Sequence, residues 1–282
     1  MPLDVTGDSV SFIGTATTLI RLGGFTVLTD PNFLHQGQWS YFGQGLFSRR
    51  RTEPAAQPAD LPPLTAVVLS HLHGDHFDRI ARRELDPEVP ILTTGQAAKS
   101  LERSGFRACA GLRTWATQAF TDGDATLRVT AVPARHTAGP LNLLLPAVNG
   151  HVLEYQPHAD AAPLRIYVSG DTVYHRELAS IHDRFPRLDV ALLHLGGTRV
   201  LGVLLSMDHK QGVDTIELLR PADVVPIHHD DYGMFTSPVS NFLVEARDRK
   251  AAAQVRLLRR GDSLPLTPPV GGHRGHQPAD LR

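Results

Sequence analysis

Residues 65–78 read TAVVLSHLHGDHFD, and this stretch decides the fold. An apolar, β-branched segment, Ala66–Ser70, runs directly into four side chains of metal-ligand type: His71, His73, Asp75 and His76. The first two histidines project to the same side because side chains alternate along an extended chain. Gly74 permits a sharp turn, after which the carboxylate and the third histidine can face the same space. Imidazole and carboxylate suit borderline metals such as Zn2+, so the stretch predicts two adjacent half-sites.

Further residues of ligand type follow other predicted strands. Each stands just past an apolar strand: His136 after Leu127–Pro133, Asp171 after Leu164–Val168, and His228 after Val224–Ile227. Strand ends are where an open α/β sheet collects its functional groups. Four separate occurrences at strand ends favour one shared metal centre over unrelated loop residues.

The composition is that of a chain able to build a large core. It has 282 residues, of which 41% are hydrophobic and 20% charged, so wholesale disorder is excluded. Lys and Arg number 28 against 29 Asp and Glu, for a net charge of -1. This balance argues against nucleic acid or an anionic membrane as the main partner. The 15 histidines are many for this length, and histidine is the commonest metal ligand.

The expected compartment follows from the start of the chain and its cysteine content. Met1–Gly14 has no basic segment followed by an apolar one, so no signal peptide is expected. Cys109 is the single cysteine and cannot form an internal disulfide, which favours a reducing, cytoplasmic compartment. The apolar runs are too short to span a bilayer, so no stable membrane insertion is expected.

Predicted strands and helices alternate along the chain, which is typical of a layered α/β domain. The predicted strands are Val10–Ile13, Thr17–Leu22, Phe25–Leu28, Ala66–Ser70, Ile91–Thr94, Leu127–Pro133, Val152–Tyr155, Leu164–Val168, Val190–Leu193, Val224–Ile227 and Val255–Leu258. The predicted helices are Asp78–Leu85, Gly95–Arg103, Tyr174–Arg184, Lys210–Leu219 and Pro238–Asp248. We expect one domain over residues 1–266, with a long loop at 32–63 and a disordered tail at 267–282.

The order of these residues resembles the metallo-β-lactamase-fold hydrolases. The matching features are Asp30 after an early strand, the His71-x-His73-x-Asp75-His76 run, and then His136, Asp171 and His228. Segments such as Ser169-Gly170-Asp171-Thr172 and Val225-Pro226-Ile227-His228 are similar to one branch, which contains ascorbate-6-phosphate lactonase and N-acyl-phosphatidylethanolamine phospholipase D relatives. The resemblance covers nearly the whole chain and implies a four-layer αβ/βα sandwich. One departure is Thr15, which stands where many relatives carry a histidine before Ala-Thr.

The resemblance also implies a centre of two divalent metal ions, with Zn2+ expected first and Mn2+ or Fe2+ as alternatives. The implied ligands are His71, His73 and His136 for the first ion, Asp75, His76 and His228 for the second, and Asp171 as a bridge. Asp30 would fix the orientation of a ligand through a hydrogen bond. A metal-bridging hydroxide would then cleave a small ester, lactone or phosphodiester, with Asp75 and Asp171 as the catalytic carboxylates.

Two other functions stay open at this point. A di-iron redox enzyme of the same fold is expected to carry a glutamate at the second ligand position, where this chain has His73. A non-catalytic metal-binding scaffold needs no open coordination position, and the full ligand set therefore disfavours it. A small-molecule substrate is the expected partner, without nucleic acid, and a homo-oligomer stays open.

Several residues near the predicted site are candidates for proton donation or substrate contact. They are His194, which ends a predicted strand and is a candidate to face the cleft, His229 and Tyr232 after the last ligand, His175 after Asp171, and Arg135 beside His136. The segment Trp39–Arg51 combines aromatic residues with the run Arg49-Arg50-Arg51. It is a candidate contact for an anionic or apolar group of the substrate.

Overall fold

Two seven-stranded sheets form the centre of the molecule. The structure is a computed structural model, and it describes residues 7–43, 45–139, 142 and 145–267. The strands of the first sheet are β1 (Ser9–Gly14), β2 (Thr17–Leu22), β3 (Phe25–Thr29), β6 (Ala66–Val68), β7 (Ile91–Thr93), β8 (Cys109–Gly111) and β18 (Ser263–Pro265). They lie in the order β18-β1-β2-β3-β6-β7-β8.

The second sheet is built from the middle and later parts of the chain. Its strands are β9 (Thr117–Asp122), β10 (Ala125–Val132), β11 (Gly150–Gln156), β12 (Leu164–Val168), β13 (Val190–His194), β16 (Asp223–Ile227) and β17 (Gln254–Val255). They lie in the order β17-β16-β13-β12-β11-β10-β9. Two small hairpins stand apart from the sheets: β4 (Trp39–Tyr41) with β5 (Phe47–Arg49), and β14 (Arg199–Val200) with β15 (Val203–Leu204).

The two sheets pack face to face through an apolar core, and helices cover their outer faces. Val10, Ile20 and Val27 of the first sheet meet Val129 and Ile166 of the second. Two helices, α1 (Arg79–Glu84) and α2 (Gly95–Arg103), pack on the first sheet. Three others, α3 (Ala179–Arg184), α4 (His209–Leu219) and α5 (Val239–Asp248), pack on the second. The layers therefore run helix, sheet, sheet, helix, which confirms the predicted four-layer α/β sandwich.

The strands that precede the candidate ligands end at one edge of this sandwich. In the first sheet β3 and β6 are parallel neighbours, and in the second sheet β12, β13 and β16 are parallel neighbours. Parallel strands place their carboxyl ends at the same edge. The residues that follow those ends are Asp30 and His71 in the first sheet, and Asp171 and His228 in the second.

Helix α1 begins directly after the ligand run because Asp78 caps it. The Asp78 carboxylate accepts hydrogen bonds from the backbone N–H groups of Ile80 and Ala81, both at 2.8 Å. Its other oxygen accepts from the N–H groups of Phe33 and Leu34. Asp78 thus begins the helix, as an N-cap carboxylate does in general. The same side chain also holds the segment that follows β3.

The loop expected at 32–63 contains regular structure. The β4–β5 hairpin and a 3-10 turn at Pro58–Asp60 lie within it. In the hairpin the serines Ser40 and Ser48 are buried while the aromatic side chains beside them are exposed. This inverts the usual pattern, in which apolar side chains face inward, so hydrophobic periodicity did not reveal the strands.

Other differences lie in short segments. Only a 3-10 turn, Arg176–Leu178, precedes α3 where one long helix was expected from Tyr174, and the last predicted strand is reduced to β17. The strands β8, β9, β14, β15 and β18 were not predicted. The tail expected at 267–282 lies outside the described residues except for Thr267. Within the described ranges, none of the helices has the length and apolar character needed to cross a membrane.

Candidate metal centre

Seven side chains of metal-ligand type lie together at this edge of the sandwich. They form two clusters, and within each cluster the ligand atoms lie within 4.8 Å of one another: His71, His73 and His136 in the first cluster, and Asp75, His76, Asp171 and His228 in the second. The ring centroids of His71 and His76 are 4.2 Å apart, so the two clusters adjoin. The structure thus brings together all seven residues that the sequence indicated as ligands.

Backbone hydrogen bonds hold the ligand run in a tight turn. The N–H groups of His76 and Phe77 donate to the carbonyl oxygen of His73, at 3.1 and 2.8 Å. The N–H of Gly74 donates to the carbonyl oxygen of Tyr41 at 2.9 Å. A Cβ atom at position 74 would stand 2.6 Å from the Tyr41 oxygen. Only glycine therefore lets the β4–β5 hairpin pack this closely on the turn.

His228 adopts a strained backbone conformation that aims its ring at the second cluster. Its φ of 58° lies in the left-handed region, which residues other than glycine rarely adopt and which concentrates at functional sites. Its N–H donates to the carbonyl oxygen of Thr15 at 2.7 Å. The ring nitrogens then lie 3.1 Å from Oδ2 of Asp75 and 3.4 Å from Oδ1 of Asp171.

Hydrogen bonds behind the clusters fix which nitrogen of two histidines faces inward. Ser70 Oγ donates to Oδ1 of Asp30 at 3.0 Å, so it accepts from Nδ1 of His71, also at 3.0 Å. Nδ1 of His76 lies 3.3 Å from the other oxygen of Asp30, which can only accept. In both rings Nδ1 carries a proton, so Nε2 is the nitrogen that faces the cluster and would ligate an ion.

Five polar atoms of the clusters are buried without a hydrogen bond in the part of the chain that the structure describes: Asp75 Oδ1, His76 Nε2, His136 Nε2, Asp171 Oδ1 and His228 Nδ1. Burying a polar atom without a partner costs free energy. Nδ1 of His136 donates to the carbonyl oxygen of Leu205 at 3.4 Å, so Nε2 carries a lone pair there too. Lone pairs of imidazole and carboxylate at this spacing are the donor set of a divalent ion. The residues present therefore fit divalent metal.

The charges of the second cluster also favour a cation. Burial alone would raise the pKa of Asp171, but His228 and His76 hold it well below its usual range. Burial alone would lower the pKa of His76, but Asp75, Asp171 and Asp30 hold it well above its usual range. An imidazolium thus balances the carboxylates when no ion is bound. A divalent ion at the same place would supply that positive charge and displace the proton.

Asp30 and His194 lie behind the clusters and support them. Asp30 Oδ1 accepts from the backbone N–H of Ser70 at 2.7 Å, while Oδ2 lies 3.3 Å from Nε2 of His194. The other ring nitrogen of His194 lies 3.0 Å from Ser169 Oγ. The sequence made His194 a candidate to face the cleft, but the side chain has no exposed surface and points away from it, toward Asp30. It braces Asp30, which in turn orients His76.

Four other candidates for proton donation or substrate contact lie outside both clusters. Tyr232 is buried, and its hydroxyl donates to Oδ1 of Asn32 at 3.1 Å. His229 lines a separate cavity of about 310 Å³ that contains none of the seven ligand-type residues. Arg135 forms an ion pair with Glu177 at 2.5 Å. Burial, with a further contribution from Arg135, lowers the pKa of His175 to about 4.

A buried ion pair that the sequence did not reveal ties the site together. Arg50 is 1% exposed, and its guanidinium lies 3.2 Å from Asp231 and donates to the carbonyl oxygen of Asn32 at 2.9 Å. Asn32 Nδ2 donates to the carbonyl oxygen of Gly74 at 2.8 Å. Asp231 accepts from the N–H of Thr15 at 2.9 Å. The network therefore joins the ligand turn to the segment that holds His228. Arg50 and Asp231 are 181 positions apart, so no local pattern signals the pair.

A cleft opens beside the first cluster and reaches two of its histidines. It has a volume of about 480 Å³ and is lined by Phe42, Gly43, Leu46, His73, His136, Thr137, Leu145, Pro146, Val200, Leu201, Val203 and Leu205. Three of the aliphatic lining residues belong to the β14–β15 hairpin, and two apolar residues flank the turn of the β4–β5 hairpin. The cluster is thus accessible from the side of an apolar cavity.

Known proteins match the chain over nearly its whole length. The Beta-lactamase superfamily domain matches residues 26–229. A UPF0173 metal-dependent hydrolase of Pyrococcus horikoshii is 24% identical over 258 residues, which cover 91% of this chain and 99% of that protein. N-acyl-phosphatidylethanolamine-hydrolyzing phospholipase D 1 of Caenorhabditis elegans is 24% identical over 250 residues, covering 85% and 67%. Among solved structures, an isothiocyanate hydrolase from Delia radicum gut bacteria superposes with a TM-score of 0.76 and 21% identity, covering 92% of this chain and 99% of that one. The chain therefore belongs to the beta-lactamase superfamily, with the metallo-β-lactamase fold, and groups with its metal-dependent hydrolases.

Proposed function

We propose that the protein is a dinuclear metal-dependent hydrolase that cleaves a small ester or lactone. The observation that carries the proposal is the set of five buried ligand atoms that form no hydrogen bond within the described residues, in two adjoining clusters beside the cleft. One divalent ion would be held by His71, His73 and His136. The other would be held by Asp75, His76 and His228, with Asp171 shared between them.

The chemistry divides between the ions and the residues around them. Two divalent ions held there would polarise the scissile carbonyl and activate a water molecule for attack near neutral pH. Asp75 holds one oxygen 3.1 Å from His228 and has the other, Oδ1, free of hydrogen bonds within the described residues. Besides holding the ion, this carboxylate would orient the water and accept its proton. As the bond between the carbonyl carbon and the leaving oxygen breaks, the same proton passes to the leaving oxygen, giving a carboxylic acid and an alcohol.

The surroundings of the cleft favour a neutral carbonyl substrate over a phosphodiester anion. Among the described residues that line the cleft there is neither an arginine nor a lysine. Of the arginines that the sequence suggested for such a contact, Arg50 is paired with Asp231 and Arg135 with Glu177, and Arg49 stacks on Trp39. Neither these three nor Arg51 belongs to the described lining of the cleft. A phosphodiester would lose hydration there without gaining a cationic side chain.

The test compares substrate classes on protein whose metal content has been measured. Metal is quantified by inductively coupled plasma mass spectrometry, and turnover is measured on a lactone panel, 4-nitrophenyl esters and bis(4-nitrophenyl) phosphate. We expect about two ions per chain and faster ester or lactone turnover. Asp171→Asn should reduce kcat by about 100-fold or more because a shared ligand is lost. Asp160→Asn, an exposed aspartate, is the matched control and should behave as wild type.

Two outcomes would contradict the proposal. Full turnover in Asp171→Asn would mean that the cluster does not carry the reaction. Faster hydrolysis of the phosphodiester would retain the metal centre but reject the proposed substrate class.

A further inference from the structure

Two hairpins form the walls of the cleft beside the first cluster. Leu46 comes from the turn side of the β4–β5 hairpin, and Leu201 and Val203 come from the β14–β15 hairpin. The half-buried His73 and the buried His136 line the same cavity. Its volume of about 480 Å³ lies within the range of small-molecule sites. A substrate whose reacting bond lies at the histidines would therefore place the rest of its body between the hairpins.

The lining chemistry determines what that body can be. Apart from the two histidines, Thr137 is the only residue with a polar side chain among the described residues that line the cleft. A charged group bound there would be removed from water without a partner, which costs free energy. An apolar group bound there would gain from leaving water. The lining therefore favours an uncharged acyl or alkyl group.

Leu201 occupies a position that its own hairpin does not favour. Leu201 and Gly202 form the two-residue connection between β14 and β15, with φ values of 49° and 83°. A two-residue turn with both φ values positive favours Asn, Asp or Gly at its first position. A leucine there adopts a costly backbone conformation, and its side chain is fully exposed. Apolar surface held in water at a strained turn beside the cleft indicates a contact made when ligand is bound.

We propose that the cleft binds an uncharged, apolar acyl group of the substrate, and that Leu46 and Leu201 determine the length of the group it accepts. The proposal rests on the hydrolase function, because the acyl group is placed by its carbonyl at the metal-ligand clusters. Each methylene buried between the hairpins should raise kcat/KM about fourfold until the cleft is filled.

The experiment uses the metal-loaded enzyme and a series of 4-nitrophenyl esters from acetate to octanoate. The leaving group is constant in this series, so only the acyl length varies. Leu46→Asp places a carboxylate in the wall, and it should reduce kcat/KM for octanoate about tenfold more than for acetate. Leu201→Gly removes the side chain at an exposed turn whose backbone conformation glycine favours, so this variant should fold even if Leu46→Asp does not. Leu257→Ser, an exposed leucine outside the cleft lining, is the control and should match wild type.

A second measurement reads the cleft without turnover. Binding of the neutral apolar dye Nile red is followed by fluorescence in the same three variants, and it should weaken in Leu46→Asp and Leu201→Gly but not in Leu257→Ser. Ester hydrolysis with no dependence on acyl length, or a dependence unchanged in both cleft variants, would overturn the proposal. Absence of ester and lactone turnover together with dye binding that weakens in both cleft variants would instead reject the hydrolase function and support the apolar site.

Discussion

His151 is a buried histidine whose protonation should limit stability in mild acid. It lies at the start of β11, has no exposed surface, and neither of its ring nitrogens forms a hydrogen bond within the described residues. Burial lowers the pKa of His151 from 6.5 to about 4, and Asp30 offsets this only in part. The folded protein therefore keeps His151 neutral at a pH where an unfolded chain would protonate it.

The sign and size of the effect follow from proton linkage. Between pH 6.5 and about 4 the unfolded chain binds more protons at this residue than the folded chain does, so stability falls as the pH falls through that window. An interval of about 2.5 pH units, at about 1.4 kcal/mol per unit, corresponds to about 3 to 4 kcal/mol. Below pH 4 no further stability is lost through this residue. His151→Leu, which places a side chain that cannot be protonated at this buried position, should remove the loss.

The assay is urea unfolding of metal-stripped protein at pH 7, 5.5 and 4.5. At pH 7 we expect His151→Leu to be at least as stable as wild type, because an unpartnered polar ring is replaced. At pH 4.5 the difference in free energy of unfolding should have grown by about 2 to 3 kcal/mol in favour of the variant. His158→Leu, at an exposed histidine, should show no such growth. A difference between His151→Leu and wild type that is equal at pH 7 and pH 4.5 would refute the reasoning.

Three further predictions concern the metal centre and its support. His73→Ala should lose bound metal and turnover together, measured by mass spectrometry and ester hydrolysis, and activity retained at wild-type level would contradict the assignment of His73 as a ligand. Asp231→Asn leaves the buried Arg50 without its counter-charge and should lower the free energy of unfolding at pH 7 by about 3 kcal/mol or more. Burial alone would raise the pKa of Asp231, but Arg260 and Arg50 lower it, so the deficit in urea unfolding should shrink only as the pH falls below about 4. Gly74→Ala forces a Cβ against the Tyr41 oxygen at 2.6 Å and should lower metal content. Gly95→Ala meets open space and should leave metal content unchanged, and equal metal content in the two variants would show that the turn tolerates a side chain.

The sequence predicted the parts of the molecule in which chemistry and local pattern coincide. Helix α2 and strand β12 have the predicted bounds, because a capped helix and an apolar strand are each encoded within a few residues. The seven ligand-type residues could be found for the same reason, since each follows an apolar strand. The short strands β8 and β18 were not predicted because neither contains a β-branched residue.

The rest of the site depends on contacts between distant positions. Arg50 stands in a run of three arginines that is typical of an exposed face, yet it is buried against Asp231. The position of His194 at the end of β13 suggested the cleft, but the side chain turns toward Asp30 behind the clusters. Both outcomes depend on how the two sheets pack, and a local sequence pattern does not contain that information.

The division of the seven ligand-type residues between the sheets has a consequence for assembly. Residues 71–76, which follow a strand of the first sheet, supply two members of each cluster, and the remaining members follow strands of the second sheet. An ion in either cluster would therefore cross-link the two halves of the sandwich. Metal uptake and docking of the halves would be thermodynamically linked, because an ion that binds only the docked state stabilises it by mass action. A chain cut between β8 and β9 would separate residues 71–76 from His136, Asp171 and His228, so neither fragment alone could reproduce the donor set and an ion would bind only after reassembly.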